Sequence, residues 1–300
     1  MELNGTRGRL IRTGMGLHDY DVGFWRRRLV NRIATGLIAL SAAVGVAVLL
    51  IILVYVAVQG APALNLAFFT ERPLPFGEVG GGVAPAILGT LYMLIVAAVL
   101  GVPVGVGTGI YLSEYGTGRF ATSVRFVIDL VAGLPSIVVG VFVWALLVRH
   151  VVGGFSGLAG SVALAIIMVP IISRTVEEVL RLVPDSLREA SLALGVPRWR
   201  TILRVVLPTA RAGVVTGVVL AMARAGGETA PLLLTALGNQ FFNLNIMGPM
   251  ASLPVQIYNY ASSPFDDWHT KAWGGALVLI GTIGILSLVT RLVTRGQIKR

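Results

Sequence analysis

The sequence predicts an all-α integral membrane protein with six transmembrane helices. The 300 residues are 55% hydrophobic and only 13% charged, and the mean hydropathy is +0.83. A water-soluble domain cannot bury so much apolar surface, so the lipid bilayer has to act as its solvent. Charge-poor segments also recur at the length of about 20 residues that a helix needs to cross a bilayer.

Six segments of this kind follow one another along the chain. They cover residues 33–58, 79–113, 126–148, 151–173, 212 to about 237, and 272–290. Asp129 interrupts the third segment, and Arg224 and Glu228 interrupt the fifth. The predicted organisation is a tail (1–32), a first transmembrane helix (33–58), an external connector (59–83), a five-helix core (84–290) and a second tail (291–300).

The placement of lysine and arginine predicts the orientation in the membrane. Of the 24 such residues, 20 lie in the four segments 1–32, 114–125, 173–211 and 291–300. Basic residues accumulate on the cytoplasmic side of membrane proteins, so both tails and these connections are predicted to be cytoplasmic in a multi-pass protein of the cytoplasmic (inner) membrane. The net charge of +10 therefore reflects topology, and no nucleic-acid partner is expected.

A charged interruption at 173–211 separates two apolar segments and predicts two short helices. Ser186 and Glu189 have the spacing of a capping box, in which the serine caps the helix and the glutamate is its third residue. Gly195 is expected to end that helix, and Pro197 to begin a second one that runs towards Pro208. A solvated linker in which Glu189 only caps the helix is the alternative.

The order of residues in this interruption resembles the coupling loop of type I ABC importer permeases. The matching positions are Glu189-Ala190-Ser191, then Gly195, then Val205-Val206-Leu207-Pro208. Serine at 191 and valine at 205 are small departures from the usual alanine and isoleucine of this EAA motif. The resemblance implies that a separate ATPase docks here, with Glu189, Ala190, Gly195 and Pro208 as the coupling residues.

Further segments resemble phosphate-specific ABC permeases of the PstA type. They are residues 81–91, 111–115, 129–136, 226–233 and 239–242. This resemblance implies a pore formed with a sister permease, two copies of a cytoplasmic ATP-binding subunit, and an external phosphate-binding protein. A permease for sulfate or molybdate is the nearest alternative, and an autonomous channel or secondary transporter is a more distant one.

Arg224 and Glu228 are the candidate substrate-pathway residues. A charge deep in a membrane span is costly unless it faces a cavity or a partner. A spacing of four places both side chains on one helical face, and Gly226 and Gly227 loosen the helix between them. From the residues alone, a phosphate-binding role and a salt bridge that locks helix packing are equally good explanations. The resemblance favours the pathway role for Arg224.

The remaining ionisable residues suggest structural roles and no catalytic site. Asp129 is expected to pair with a neighbouring helix, and Glu114 to cap a helix or to pair with Arg119 or Arg125. Lysine occurs only at 271 and 299, and neither follows a glycine-rich phosphate-binding loop, so ATP and Mg²⁺ are expected on the partner ATPase. Without cysteine or a cluster of histidines, no metal site or cofactor is predicted on this chain.

Overall fold

A computed structural model describes residues 19–298 apart from 76, 77 and 79, and this part of the chain contains twelve α-helices and no β-strand. Residues 1–18 and 299–300 of the predicted tails, and the first residue of the predicted 79–113 segment, lie outside the described residues. The helices are α1 (Asp19–Gly60), α2 (Leu66–Thr70), α3 (Ala84–Ile110), α4 (Gly118–Gly133), α5 (Ser136–Val143), α6 (Gly157–Arg181), α7 (Asp185–Ala193), α8 (Arg198–Thr201), α9 (Leu207–Gly226), α10 (Ala230–Thr235), α11 (Leu253–Ala261) and α12 (Asp266–Ile298).

The chain forms two compact units. The first ends at Tyr55 and consists, in its described part, of most of α1, and every side chain from Phe24 to Tyr55 is exposed. The second begins at Val56 and contains all the other helices together with the buried core.

Four continuous helical stretches in the described part are long and apolar enough to cross a membrane. They are Phe24–Ala63, Ala84–Tyr115, Gly157–Arg181 and Arg198–Gly226. A bent pair, Gly118–Gly133 with Ser136–Val152, brings the number of candidate spans to five. The prediction of an all-α membrane protein is confirmed, and α12 covers the predicted segment 272–290. The total of six spans stays a prediction.

The predicted third span, 126–148, is not one helix. α4 ends at Gly133, α5 begins at Ser136, and the two axes differ in direction by 102°. A residue that precedes proline avoids the helical conformation, and Leu134, before Pro135, is extended with φ −71° and ψ 138°. The apolar pattern continues through this break, so hydropathy alone could not reveal it.

The centre of the second unit is the contact between α3 and α6. Gly101, Gly105 and Gly109 recur every four residues on α3 and meet α6 without intervening side chains. A Cβ built at Gly105 would lie 2.7 Å from the Cβ of Ile172. Small residues let transmembrane helices approach closely. The resulting van der Waals contacts stabilise the helix pair, because lipid leaves no hydrophobic driving force between helices.

The described residues of the predicted external connector, 59–83, are folded against the rest of the second unit. α2 places Phe68 in the core with only 1% of its surface exposed, and the amide of Val83 donates a hydrogen bond of 2.9 Å to the Phe68 carbonyl. Residues 64–83 therefore return the chain to the start of α3.

Candidate coupling loop and substrate pathway

The charged interruption predicted at 173–211 is mostly helical. α6 continues to Arg181, so the first part of the interruption prolongs a membrane helix. After α7, the stretch Arg198–Gly226 is helical throughout, with a turn of π-helix at Ile202–Val206. The predicted second helix therefore continues past Pro208, which lies shortly after the turn of π-helix inside this continuous stretch.

The capping box predicted at Ser186 and Glu189 is wrong. α7 begins at Asp185, Pro184 occupies the capping position, and no side chain caps the helix. Pro184 has φ −59° and ψ 138°, and its carbonyl accepts a hydrogen bond of 3.2 Å from the Leu187 amide. Because proline has a fixed φ, it sets the start of the helix two residues earlier than a cap at Ser186 would.

Gly195 ends α7 as predicted. Its φ is +74°, a left-handed conformation that glycine adopts without the steric cost of a side chain. The Gly195 amide donates to the Leu192 carbonyl at 2.9 Å, and the Val196 amide donates to the Ser191 carbonyl at 3.3 Å. Pro197 then precedes α8 as its cap, one position earlier than predicted.

One face of α7 is exposed, and the other packs against the rest of the second unit. Glu189 and Ala190 are exposed, and Glu189 makes no ion pair or side-chain hydrogen bond with any described residue. On the opposite side Ser191 is buried, and its hydroxyl lies 2.9 Å from the hydroxyl of Thr201. Serine instead of alanine at 191 therefore adds a hydrogen bond between α7 and α8.

Exposed apolar side chains extend this open face into a surface. Leu192, which follows the buried Ser191, is 48% exposed, and Leu194 is 83% exposed. Trp199 and Leu203, which follow on the next helical stretch, are also more than half exposed. Apolar side chains concentrated in a charged connection are a feature of surfaces that bind another protein.

Two ion pairs, one with the buried carboxylate of Glu177 and one with the exposed carboxylate of Asp129, join α4 to α6. Arg125 of α4 contacts Glu177 of α6 at 2.8 Å, and Asp129 of α4 pairs with Arg174 of α6. The prediction that Asp129 pairs between helices is confirmed.

The predicted partners of Glu114 are wrong. Its carboxylate lies 2.7 Å from Nη2 of Arg188 on α7, which is 74 residues away along the chain, and hydrogen-bonds to neither Arg119 nor Arg125. This hydrogen bond is the largest cause that raises the pKa of Arg188 above its ordinary value, so the guanidinium stays charged.

Arg224 and Glu228 do not share one helical face. α9 ends at Gly226, where the amide of Gly227 bonds to the Arg224 carbonyl at 3.2 Å, and α10 begins only at Ala230. Arg224 is exposed in the last turn of α9, and Glu228 is partly buried in the break. The two side chains form no salt bridge with each other or with another described residue.

The break after Arg224 adjoins the other broken segment. Gly140 of α5 lies against α10, so closely that a Cβ there would be 2.7 Å from the Cα of Pro231. Irregular backbone at membrane depth is tolerated where it is buried in protein or lines a cavity. Paired discontinuous helices of this kind are where many transporters bind their substrate.

These features define a class of protein. The described part of the chain combines long apolar helices, two broken helical segments that pack against each other, and an exposed helix that carries apolar and charged side chains. The chain belongs to the family of binding-protein-dependent transport system inner membrane components, whose model matches residues 101–300.

Several curated relatives are similar over nearly the whole chain. The phosphate transport system permease protein PstA of Xylella fastidiosa (strain Temecula1) is 46% identical over 276 residues, which are 91% of this chain and 96% of that protein. PstA of Yersinia pestis is 44% identical over 270 residues, covering 90% of this chain and 91% of that protein. PstA 1 of Mycobacterium tuberculosis (strain H37Rv) is 41% identical over 272 residues, covering 89% of this chain and 88% of that protein.

A solved structure shares the fold. An inward-facing form of the MetNI methionine ABC transporter contains a chain that is 21% identical to this one, with a TM-score of 0.60. The match covers 71% of this chain and 95% of that chain. The likeness places the helices described above in the permease fold of ABC importers.

Proposed function

We propose that this chain is a permease subunit of an ATP-driven ABC importer that translocates inorganic phosphate across the cytoplasmic membrane. The observation that carries the proposal is the 41–46% identity, over about nine tenths of the chain, to proteins named phosphate transport system permeases. The chain is not itself an enzyme. ATP and Mg²⁺ are bound by a separate ATPase subunit, and this chain needs no cofactor of its own.

The assembly that we propose contains four kinds of subunit. The chain forms the pore with a sister permease, two copies of a cytoplasmic ATP-binding subunit drive it, and an external phosphate-binding protein delivers the substrate. Both termini face the cytoplasm, an orientation supported by the 20 of 24 basic residues on the tails and on the connections of that side.

The open face of α7 is the proposed ATPase-docking surface. Glu189 is available to a partner because it has no ion pair or side-chain hydrogen bond with a described residue, and Leu192 and Leu194 supply apolar contact area. Gly195 ends this helix, and Pro208 lies in the next long helical stretch, Arg198–Gly226, which enters the membrane. Closure of the two ATPases on ATP then moves α7 and switches the pore between outward and inward access.

Arg224 is the proposed phosphate contact. It lies 17 residues after the start of α9, roughly 25 Å along the helix, next to the break that continues into α10. A guanidinium offers charge together with a fork of N–H donors, which suits the oxygens of a phosphate. Glu228 pairs with Arg224 between substrates or accepts a hydrogen bond from a protonated phosphate oxygen.

Co-purification and reconstitution test this function. A tagged chain should bring with it one different permease and an ATPase, and liposomes with the complete complex should take up labelled phosphate only with ATP and the binding protein. Excess sulfate or molybdate should leave the uptake rate unchanged. Anion flux through the chain alone would contradict the proposal. Inhibition by sulfate or molybdate would contradict phosphate as the specific substrate.

A further inference from the structure

A single arginine on α7 uses all of its donors to join three helices. Arg188 Nη2 donates to Glu114 Oε1 at 2.7 Å and to the Leu180 carbonyl at 2.9 Å, while Nε lies 3.3 Å from both oxygens of Glu114. Its Nη1 donates to the Val183 carbonyl at 2.6 Å and to Asp185 at 3.0 Å. A guanidinium has five N–H donors, and each has an acceptor here.

The carboxylate that receives this arginine is buried at the end of a membrane span. Glu114 belongs to the turn of π-helix Tyr111–Tyr115, which continues α3, and its side chain is only 4% exposed. A buried carboxylate is stable only with a well-placed cation and further hydrogen bonds. α7 and the end of α3 are therefore held together by a charge pair that neither partner can leave without exposing a charge to an apolar environment.

A second arginine, which follows Gly195 in the chain, contacts the same turn. Arg198, the first residue of α8, donates to the backbone carbonyl of Glu114, and its guanidinium carbon lies 4.9 Å from the centre of the Tyr115 ring. The hydroxyl pair of Ser191 and Thr201 fixes α7 to α8. Both α7 and α8 therefore contact Glu114, and α8 also contacts Tyr115.

The span that these contacts reach is well suited to carry a displacement. α3 and its terminal turn form one helical stretch, Ala84–Tyr115, and its glycines pack directly against α6. Interfaces packed this closely move as units and do not deform gradually.

We propose that Glu114 is the positioning residue through which movement of α7 reaches α3, and that Arg188 and Arg198 are the two residues that hold it. The inference rests on the proposed function, because it takes α7 as the helix that the ATPase moves. It assigns to Glu114 the coupling between ATP hydrolysis and transport, and it assigns to Glu114 no contact with phosphate.

The experiment compares transport with hydrolysis in the complete reconstituted complex. With Glu114→Gln or Arg188→Met, we expect phosphate moved per ATP hydrolysed to fall at least about tenfold while the ATPase rate stays within about twofold of the wild-type rate. The double variant should be no worse than Arg188→Met alone, because the contact that Glu114→Gln removes is already lost in Arg188→Met. Asp185→Asn is the matched control, since it removes an exposed carboxylate from the same guanidinium and should leave the ratio unchanged.

Other outcomes overturn the inference in distinguishable ways. A normal ratio of phosphate moved to ATP hydrolysed in both single variants would reject the coupling role. A proportional loss of assembly, hydrolysis and transport would show that the pair is a stabilising contact only. If Glu114→Gln does not assemble, Glu114→Asp keeps the charge and withdraws it by about 1.5 Å, one carbon–carbon bond. A normal ratio there also rejects the inference. Failure of the wild-type complex to take up phosphate would instead reject the proposed function.

Discussion

Gly105 of α3 lies directly beneath Ile172 of α6, with room for a hydrogen but not for a methyl group. A Cβ added at 105 would be 2.7 Å from the Ile172 Cβ and 2.8 Å from its Cγ2. Ile172 is branched at this carbon and fully buried, so it cannot rotate out of the way. The closeness of α3 and α6 therefore depends on glycine at this position.

Gly105→Ala should weaken the α3–α6 contact. Forcing an additional carbon into a packed interface costs about 1–3 kcal/mol, and we expect a lower midpoint of thermal unfolding for the purified complex. Gly107→Ala is the matched control, because nothing lies within 4 Å of a Cβ there. That control should be neutral or stabilising by up to about 1 kcal/mol, since alanine favours the helix. Equal midpoints for the two variants would contradict the proposed packing.

Local signals in the sequence were sufficient for some features of this fold and not for others. Gly195 could be assigned from the sequence because the end of a helix is a local property that depends on the φ of one residue. The start of α7 could not, since both Pro184 and Ser186 are acceptable cap-region residues and the choice between them depends on the chain that precedes them.

Contacts between distant residues left no such signal. The partner of Glu114 is Arg188, and several other arginines lie nearer to Glu114 along the chain. Only the return of the chain through α6 brings the two side chains together. Similarly, the apolar pattern predicts one continuous span over 126–148, and the 102° bend at Pro135 accompanies packing of α5 against α6 and α10.

The hydroxyl pair between α7 and α8 should contribute measurably to stability. Ser191→Ala leaves the buried hydroxyl of Thr201 without its side-chain partner, which costs about 1–3 kcal/mol. Thr201→Val removes the other hydroxyl while keeping the shape of the side chain. We expect the double variant to lose less stability than the sum of the two single variants, measured by thermal unfolding of the complex. Simple additivity would mean that the two hydroxyls do not interact.

Charge reversal on the open face of α7 should weaken ATPase docking without unfolding the permease. Glu189 is exposed and forms no ion pair or side-chain hydrogen bond within the described chain, so Glu189→Lys removes no observed side-chain contact. We expect roughly tenfold weaker association with the ATPase, equivalent to about 1.4 kcal/mol. The measurement is titration of the purified ATPase against the permease pair in nanodiscs.

Ser186→Ala is the control for this prediction. Ser186 is exposed on the same helix, and because α7 starts at Asp185 its side chain caps nothing. We expect unchanged ATPase affinity and unchanged thermal stability. A substantial loss of stability in Ser186→Ala would show that Ser186 does cap α7. Unchanged affinity in Glu189→Lys would show that the ATPase docks on another surface.

Arg224→Gln should reduce phosphate uptake while leaving the complex assembled. The side chain is exposed at the end of α9 and has no salt bridge to a described residue, so its removal breaks no ion pair seen in the structure. A hydrogen bond to a charged group contributes about 1.5–3 kcal/mol, which corresponds to a loss of roughly tenfold to a hundredfold in the initial rate of labelled phosphate uptake. Arg224→Lys keeps the charge but not the fork of donors and should retain part of the rate.

The matched control for Arg224 is Arg149→Gln. Arg149 is also exposed and lies beside a broken helical segment, in the turn of π-helix Trp144–Val152 that follows α5. If positive charge in general attracts phosphate to this protein, both glutamine variants will lose rate to a similar extent, and the loss will shrink at high ionic strength. If Arg224 contacts the anion, only Arg224→Gln will lose rate, and salt will not restore it. Normal uptake by Arg224→Gln would exclude Arg224 from the pathway.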